Sequence, residues 1–452
     1  MTQLKKYALL FALIVCANIR AQEATSGNFS LQQSIEYALK HSPNYLNAEL
    51  DYESAEAKRK EVRGLGLPQV NGSVDIKDYL EIPTSLLPGQ IFGGPAGSFI
   101  PVKFGTKYNA TAGVSASQLI FSSDYIFALK GSKVFMNLSK ISVTRNKSEL
   151  TAQVAKAYYL YVITKDRIKL LEANVVRTKV TYENAKAGNK QGLVELIDVE
   201  RQEVEYNNFV LERDKAVRSL ANIEAMLKFQ MGYNINDPIN LTDSLSQDVN
   251  QFEDLNPKAD ITRRPDYQLA QAQQSFLDLD VKRLKWGYMP TLAAYGSYQF
   301  NKQRNEFDFF SNNNNDPTNK WFKIAIIGAT LNINIFDGFQ RHYKIQQAKI
   351  ASLKNSNNLR MIQMNSEAEI LTSSINYKSA YINFTNQKKN MDLASHVYEV
   401  AQKKYEAGVG SSIEVTLAQT QMITAQVNYY GSLYDMMIAK IDYQKAIGDL
   451  AK

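Results

Sequence analysis

The chain repeats itself once, and that restricts its possible folds more than any other property of its 452 residues. Ser42-Pro43-Asn44-Tyr45 is followed by Leu67-Pro68-Gln69-Val70, and Arg264-Pro265-Asp266-Tyr267 is followed by Met289-Pro290-Thr291-Leu292. In both copies the prolines stand 25 positions apart. Further landmarks keep the same order: Ile120-Phe121-Ser122 with Ile335-Phe336-Asp337, Ala187-Gly188 with Ala407-Gly408, and Met231-Gly232 with Ile447-Gly448. A period of about 220 residues is far too long for a solenoid, so one half is present twice.

Each half reads as helix, strand, strand, long helix, helix. The stretch between each pair of prolines is helical, and the second proline stops the helix and opens a strand. The strands show the two-residue period of a sheet with unlike faces. Val70, Gly72, Val74 and Ile76 alternate with Asn71, Ser73, Asp75 and Lys77, and Tyr108, Ala110, Ala112, Val114 and Ala116 with polar neighbours. Ala294, Gly296, Tyr298 and Phe300 alternate with Ser297, Gln299 and Asn301. The fourth strand, predicted over Trp321 to Phe336, is more apolar throughout and alternates cleanly only late, as Leu331, Ile333 and Ile335 against Asn332 and Asn334. A Pro/Gly-rich loop with Pro88-Gly89 and Gly93-Gly94-Pro95 joins the first two strands, and a polar loop with the run Asn312 to Asn315 joins the last two. Strands of about ten residues are long enough to cross an outer membrane at a tilt.

The helices are longer still. Only Gly131 interrupts Ser122 to Lys186, and no glycine or proline follows Gly338 before Ala407. Helices of about 65 residues would extend roughly 100 Å. Each is predicted to end in a glycine turn, at Gly188 and Gly408, followed by a second helix of about 40 residues. That describes two helical hairpins.

Composition narrows the setting. At 44% hydrophobic and 21% charged residues, the chain is neither disordered nor a bundle of membrane helices. No stretch after the start is apolar enough for a membrane helix. Residues 1–21 read as an export signal, with Lys5 and Lys6 before an apolar core and cleavage after Ala21. Cys16, the only cysteine, leaves with it; Val15 stands where lipid attachment to Cys16 would want a small residue. Loss of Lys5, Lys6 and Arg20 lowers the net charge from +7 to +4, a weak balance that points to no nucleic-acid partner. His41, His342 and His396 are scattered, so no metal site and no cofactor is expected. There is no phosphate loop, nucleophile elbow or metal-ligand pair, so no enzyme is expected.

Four strands with one apolar face cannot stand alone in lipid, because both edges would expose unpaired backbone groups. Two chains would give eight strands around a filled lumen, whereas three give twelve and leave room for water. The helices outrun any bilayer and must enter an aqueous compartment. The fold class expected is mainly α with a membrane β-barrel contribution: long α-helical hairpins and four strands per chain, in a trimer whose 12-stranded barrel continues into a periplasmic α-barrel.

At this point the chain resembles the TolC family of outer-membrane efflux proteins. The residues that carry the likeness are Pro43 with Pro68, Pro265 with Pro290, Ile335-Phe336-Asp337-Gly338, and Tyr405-Glu406-Ala407-Gly408 followed by Ser412-Ile413-Glu414-Val415. The resemblance implies a homotrimeric, passive outer-membrane duct with a long periplasmic extension. It docks a periplasmic adaptor protein and an inner-membrane transporter, and meets outer-membrane lipid. It divides the chain into a signal peptide (1–21), a first repeat (22–232), an equatorial connecting segment (233–257) and a second repeat (258–452). It also implies adaptor contact at the hairpin tips, here Gly188, Gly192, Leu193, Gly408, Val409 and Ser411. The same glycines would serve any tight turn through positive φ.

The family's periplasmic mouth narrows at carboxylates past the second tip. Glu414 falls on the first such position and Leu417 departs from the second; Glu195 and Asp198, one helical turn apart, are the first half's candidates. Tyr405 matches a family tyrosine that helps hold the mouth shut, whereas Gly410 stands where the best-known member has an arginine. The rival expectation is a secreted or periplasmic long-helix scaffold without a pore, which explains the helices and leaves the lipid-like strands without a purpose.

Overall fold

A computed structural model describes residues 27–243, 260–310 and 319–451. The expected signal peptide with Cys16, residues 244–257 of the connecting segment, and the Asn312 to Asn315 run lie outside the described residues. The described chain runs β1 (Asn28–Phe29), α1 (Leu31–His41), α2 (Pro43–Gly64), β2 (Gln69–Asp78), β3 (Thr84–Pro88), β4 (Phe99–Lys103), β5 (Tyr108–Phe121), α3 (Ser123–Lys190) and α4 (Leu196–Met231). It continues through β6 (Asn240–Leu241), α5 (Pro265–Trp286), β7 (Thr291–Arg304), β8 (Phe322–Asn332), α6 (Gln340–Glu406) and α7 (Ser412–Ala446). Pro43 and Pro265 open α2 and α5, the position where a missing N–H costs nothing. With 68 and 67 residues, α3 and α6 are each about 100 Å long. Among the described residues no helix is long and apolar enough to cross a membrane.

The chain divides into two compact units. Residues 51–140 and 269–360 hold a four-stranded antiparallel sheet in the order β2-β5-β7-β8. Its register puts like with like. Gly72 lies opposite Val114, which lies opposite Tyr298 and then Ala325; Val74 lies opposite Ala112 and then Phe300. Paired residues share a face, so Val70, Val74, Ile76, Val114, Tyr298, Phe300 and Ile327 lie together on one side. Most of this side is exposed, with Val74 at 76% and Ile327 at 91%. At its far end, however, Ala110 and Lys302, in register with Ile76, are buried, and Lys302 Nζ donates to Phe309 O at 2.9 Å. Asn71, Ser115 and Ser297 share the opposite face, as do Asp75, Thr111 and Asn301. There Asn301 Nδ2 donates to Asn109 Oδ1 at 2.7 Å and to Thr111 Oγ1 at 3.0 Å.

Two features of this unit differ from the sequence reading. The fourth strand stops at Asn332, and residues 333–339 are irregular up to Gln340, with Ile335 94% exposed. The Pro/Gly-rich loop is not structureless, since β3 and β4 pair as a second hairpin from Thr84 opposite Lys103 to Pro88 opposite Phe99.

The other unit is helical. Ser30 caps α1 with a reciprocal box, its Oγ accepting from Gln33 N while Gln33 Oε1 accepts from Ser30 N. β1 and β6 form a two-residue parallel pair, and Tyr158 in α3 donates to Phe29 O at 3.2 Å. Around them Ala38, Val154, Ala157, Tyr158, Leu227 and Met231 are almost fully buried. Two further cores follow along the helices. One holds Ile163, Tyr377, Phe384, Leu433 and Met436, and the other Leu171, Val175, Phe209, Tyr398, Val415 and Met422.

Candidate functional site

The two hairpin tips belong to the helical unit. At the second tip, α6 ends on Gly408, whose φ of 74° only glycine adopts cheaply. Val409 N closes the turn onto Lys404 O at 3.0 Å. The six-to-one bond and the left-handed glycine define a Schellman stop. Ser411 then caps α7, its Oγ accepting from Ile413 N at 3.2 Å. Gly410 is required for room: a Cβ there would lie 2.9 Å from Lys404 Cβ and Tyr405 N.

At the first tip the same turn lies at Gly192 (φ 73°), where Leu193 N donates to Gly188 O at 2.9 Å. The turn expected at Gly188 is therefore four residues further on. Gly188 is still helical, and a Cβ on it would lie 2.7 Å from Val194 Cγ2. Gly192 matches Gly408, Leu193 matches Val409, Glu195 matches Ser411 as the cap, and Asp198 matches Glu414. Glu195 makes no side-chain cap bond. Leu193 and Val409 are 77% and 79% exposed, and Ile197 and Ile413 behind them are also exposed.

The candidate gate residues are treated unequally. Glu195 and Glu414 are exposed. Asp198 is turned against the second hairpin, where Ser412 Oγ donates to its Oδ1. Arg201, one turn along α4, lies 3.2 Å from the same oxygen and donates to Ser412 Oγ at 3.3 Å. Tyr405 approaches this group from α6; burial first, and the Asp198 charge second, push its phenol above the ordinary range. Sequence reasoning named Asp198 and Tyr405 and missed Arg201 and Ser412. Arg201 was legible at one-turn spacing, but Ser412 joins the cluster only through packing.

About two turns deeper lies a buried polar layer that sequence reasoning also missed. Glu205 is 5% exposed and Gln202 and Gln419 are 2% and 1%; Glu205 Oε1 and both amide nitrogens have no hydrogen-bond partner. Burial raises the Glu205 carboxyl above the usual carboxylate range. Tyr398 of α6 is pushed up to about 12, mainly by burial, with Glu205 and Glu406 adding and Arg177 opposing. The Arg177 guanidinium lies over the Tyr398 ring at 5.8 Å. Further along, Asn174 Nδ2 donates to Gln426 Oε1 at 3.0 Å. No group of three His, Cys, Asp or Glu side chains able to hold a metal occurs among the described residues.

Known proteins resemble this chain in sequence and in fold. The family profile described as "Outer membrane efflux protein" matches residues 257–449. The outer membrane protein TolC of Vibrio cholerae is 19% identical over 358 residues, covering 76% of this chain and 77% of that one. The probable efflux pump outer membrane protein TtgC of Pseudomonas putida is 20% identical over 350 residues, with 76% and 69% covered. The fold is that of the Campylobacter jejuni CmeC outer membrane channel, with a TM-score of 0.72 at 17% identity over 92% of this chain and 85% of that one. CusC gives 0.73 at 14% identity, with 93% and 92% covered. The open state of the Neisseria gonorrhoeae MtrE channel gives 0.68 at 15% identity, with 92% and 88% covered. Profile, relatives and fold all point to the outer-membrane efflux proteins: the profile matches the second repeat, the relatives span about three quarters of the chain, and the fold is shared over its described length.

Proposed function

We propose that the protein is the outer-membrane exit duct of a tripartite efflux system: a homotrimer that conducts passively, docks a periplasmic adaptor and receives its cargo from an inner-membrane transporter. The carrying observation is the four-stranded sheet, with an exposed apolar face across Val70, Val74, Val114, Tyr298 and Ile327 and outer edges at β2 and β8. Lipid tolerates no open edge, so β2 of one copy pairs with β8 of the next, and three copies close twelve strands. Exposed aromatic residues cluster where strands give way to helices, at Trp286, Tyr288, Phe336, Phe339 and Tyr343. Such residues sit at membrane interfaces. A pore-free scaffold offers no reason for this face.

The helical unit then serves as the periplasmic part, with residues 22–232 and 258–452 as the two repeats and 233–257 joining them. Gly188, Gly192, Leu193, Gly408, Val409 and Ser411 form the adaptor-facing tips, where Leu193 and Val409 offer the apolar contact. Glu414, with Glu195, Asp198 and Tyr405, forms the periplasmic constriction. The duct does no chemistry of its own.

Extraction of outer membranes in mild detergent tests this reading, with a trimer expected and a monomer overturning it. Arginine in place of Val114 should cost about 2–4 kcal/mol at the bilayer midplane. Channels assembling normally from Val114→Arg would remove the lipid-facing assignment.

A further inference from the structure

The segment between β2 and β5 is longer than a turn needs and is built rather than loose. Tyr79 N donates to Lys107 O at 2.7 Å and closes its base. Beyond that bond Pro83 and Gly105 (φ 113°) end the β2–β5 ladder, and β3 and β4 begin a separate hairpin. Its tip is braced internally. Gly89 N donates to Ser98 O at 2.7 Å, Gly94 N to Gly89 O at 2.8 Å, and Ser98 Oγ to Pro95 O at 2.7 Å.

This hairpin has the wrong surface for a solvated loop. Residues 82–102 contain no Asp, Glu, Lys, Arg or His, although 21% of the chain is charged. Leu86, Ile91, Phe92 and Phe99 are each 59–68% exposed, and Ile100 is 37% exposed. Apolar residues gathered on one exposed element mark a contact surface. Pro88 and Pro101 stand in its two strands, so each strand lacks a ladder donor and the hairpin is poorly suited to extending another sheet. The contact is therefore made by side chains.

Topology says where it lies. α2 leads into β2 and β5 leads into α3, so the hairpin is at the end of the sheet remote from these helices, the outer mouth of a duct. It also grows directly from β2, the strand that meets the neighbouring copy in the proposed barrel. Twelve strands spaced about 4.8 Å apart and tilted about 40° enclose a radius of roughly 12 Å. Five paired residues extend about 17 Å, enough to reach the axis from the wall. Three uncharged hairpins can meet there without like-charge repulsion, and each covers the apolar side chains of the others.

We propose that the β3–β4 hairpins of three copies of this chain pack together over the outer mouth as an apolar lid, which must part for cargo to leave. This rests on the duct reading above. Because Cys16 is the only cysteine, a Cys16→Ser background carrying Ile91→Cys or Phe99→Cys presents one thiol per copy. In trimers purified in detergent, mild oxidation should link two copies covalently, and Ile91→Asn with Phe92→Asn should increase conductance in planar bilayers. Trimers whose cysteines stay unlinked and react freely with a water-soluble maleimide would overturn the lid and leave the duct standing. Cysteines that are unlinked but shielded in lipid vesicles and reactive in detergent would assign the surface to lipid and equally overturn it. Recovery of monomers alone would overturn the duct reading, and the lid with it.

Discussion

The two hairpin tips share a backbone and differ in almost every polar side chain on it. Each long helix stops at a left-handed glycine, and Val199 and Val415 fill matching buried positions seven residues beyond. Around that common frame, the first tip carries Asp198, Arg201 and the buried Glu205, whereas the second carries Ser412, an exposed Glu414 and the neutral Gln419. The difference is complementary: the acid of one hairpin accepts a hydrogen bond from the hydroxyl of the other. A duplicated element whose copies pack against each other is free to diverge at the contact, provided that turn and core are kept.

The shared part of that comparison is broken most severely at the turns. Gly408→Trp or Gly192→Trp places a side chain at positive φ, straining the turn by about 1–2 kcal/mol, and puts an indole on the proposed docking surface. Complete loss of efflux is expected in drug-susceptibility assays, with trimers and barrel insertion retained. The same substitution at Gly188 would clash with Val194 instead, so it should reduce trimer yield as well. Undiminished efflux in Gly408→Trp would remove the tip as a docking surface.

The buried layer distinguishes the hairpins by pH. Burial raises the folded Glu205 carboxyl above its value in the unfolded chain, ordinarily about 4.3, so the folded bundle binds this proton more tightly. Its stabilising contribution is full below the unfolded value and is lost as pH rises through the folded one. Tyr398 and Arg177 face the layer from α6 and α3, while Gln419 is its neutral contributor from α7. Glu205→Gln should therefore match wild-type melting in acid and exceed it increasingly toward neutral pH, by circular dichroism of the detergent trimer. Gln419→Glu should add a second buried carboxyl and steepen the dependence. Parallel melting curves at every pH would show that Glu205 does not ionise against the fold.

A smaller effect is expected at the seam. A double-mutant cycle of Asp198→Asn and Ser412→Ala should give a coupling of about 1 to 1.5 kcal/mol. That is near the low end for a charged acceptor, because the Asp198 side chain retains 22% exposure and is shared with Arg201. Additive losses would mean that the two hairpins are held by their apolar core alone.

The sequence made the repeating order and the strands with one apolar face legible because both are periodic, and every alternate residue votes. It misplaced the first turn because Ala187-Gly188 imitates Ala407-Gly408. A helix tolerates glycine, so the stop came at Gly192, where positive φ was needed. A spacing argument was available: Gly192 and Gly408 each stand 40 residues before Gly232 and Gly448, the left-handed glycines that follow the return helices, and Gly188 does not. The β3–β4 hairpin was hidden because prolines and glycines read as loop, and two-residue β1 and β6 are too short to show a period. Ser412 and Gln419 were beyond reach, since their roles depend on a neighbouring helix whose register no local pattern reports.

The smallest expected effect, and the sharpest test of asymmetry, is on ion selectivity. Glu414 and Asp198 occupy matching positions in the first turns of their helices, but only Glu414 presents its carboxylate to solvent, while Asp198 is engaged by Ser412 and Arg201. If the tips converge on the threefold axis, three Glu414 carboxylates concentrate negative potential in a narrow aqueous throat, where charge acts more strongly than on an open surface. Glu414→Ala should therefore reduce cation preference, read as reversal potential under a salt gradient, and weaken block by multivalent cations. Asp198→Asn should change it less, its charge being already paired. Asp75→Ala should change it least, because Asp75 lies on the polar face of the wide sheet 3.2 Å from Lys77 Nζ. Unchanged selectivity in Glu414→Ala, with a loss in Glu195→Ala, would move the ring to the first hairpin, and the exposed carboxylate at its cap would then carry the constriction.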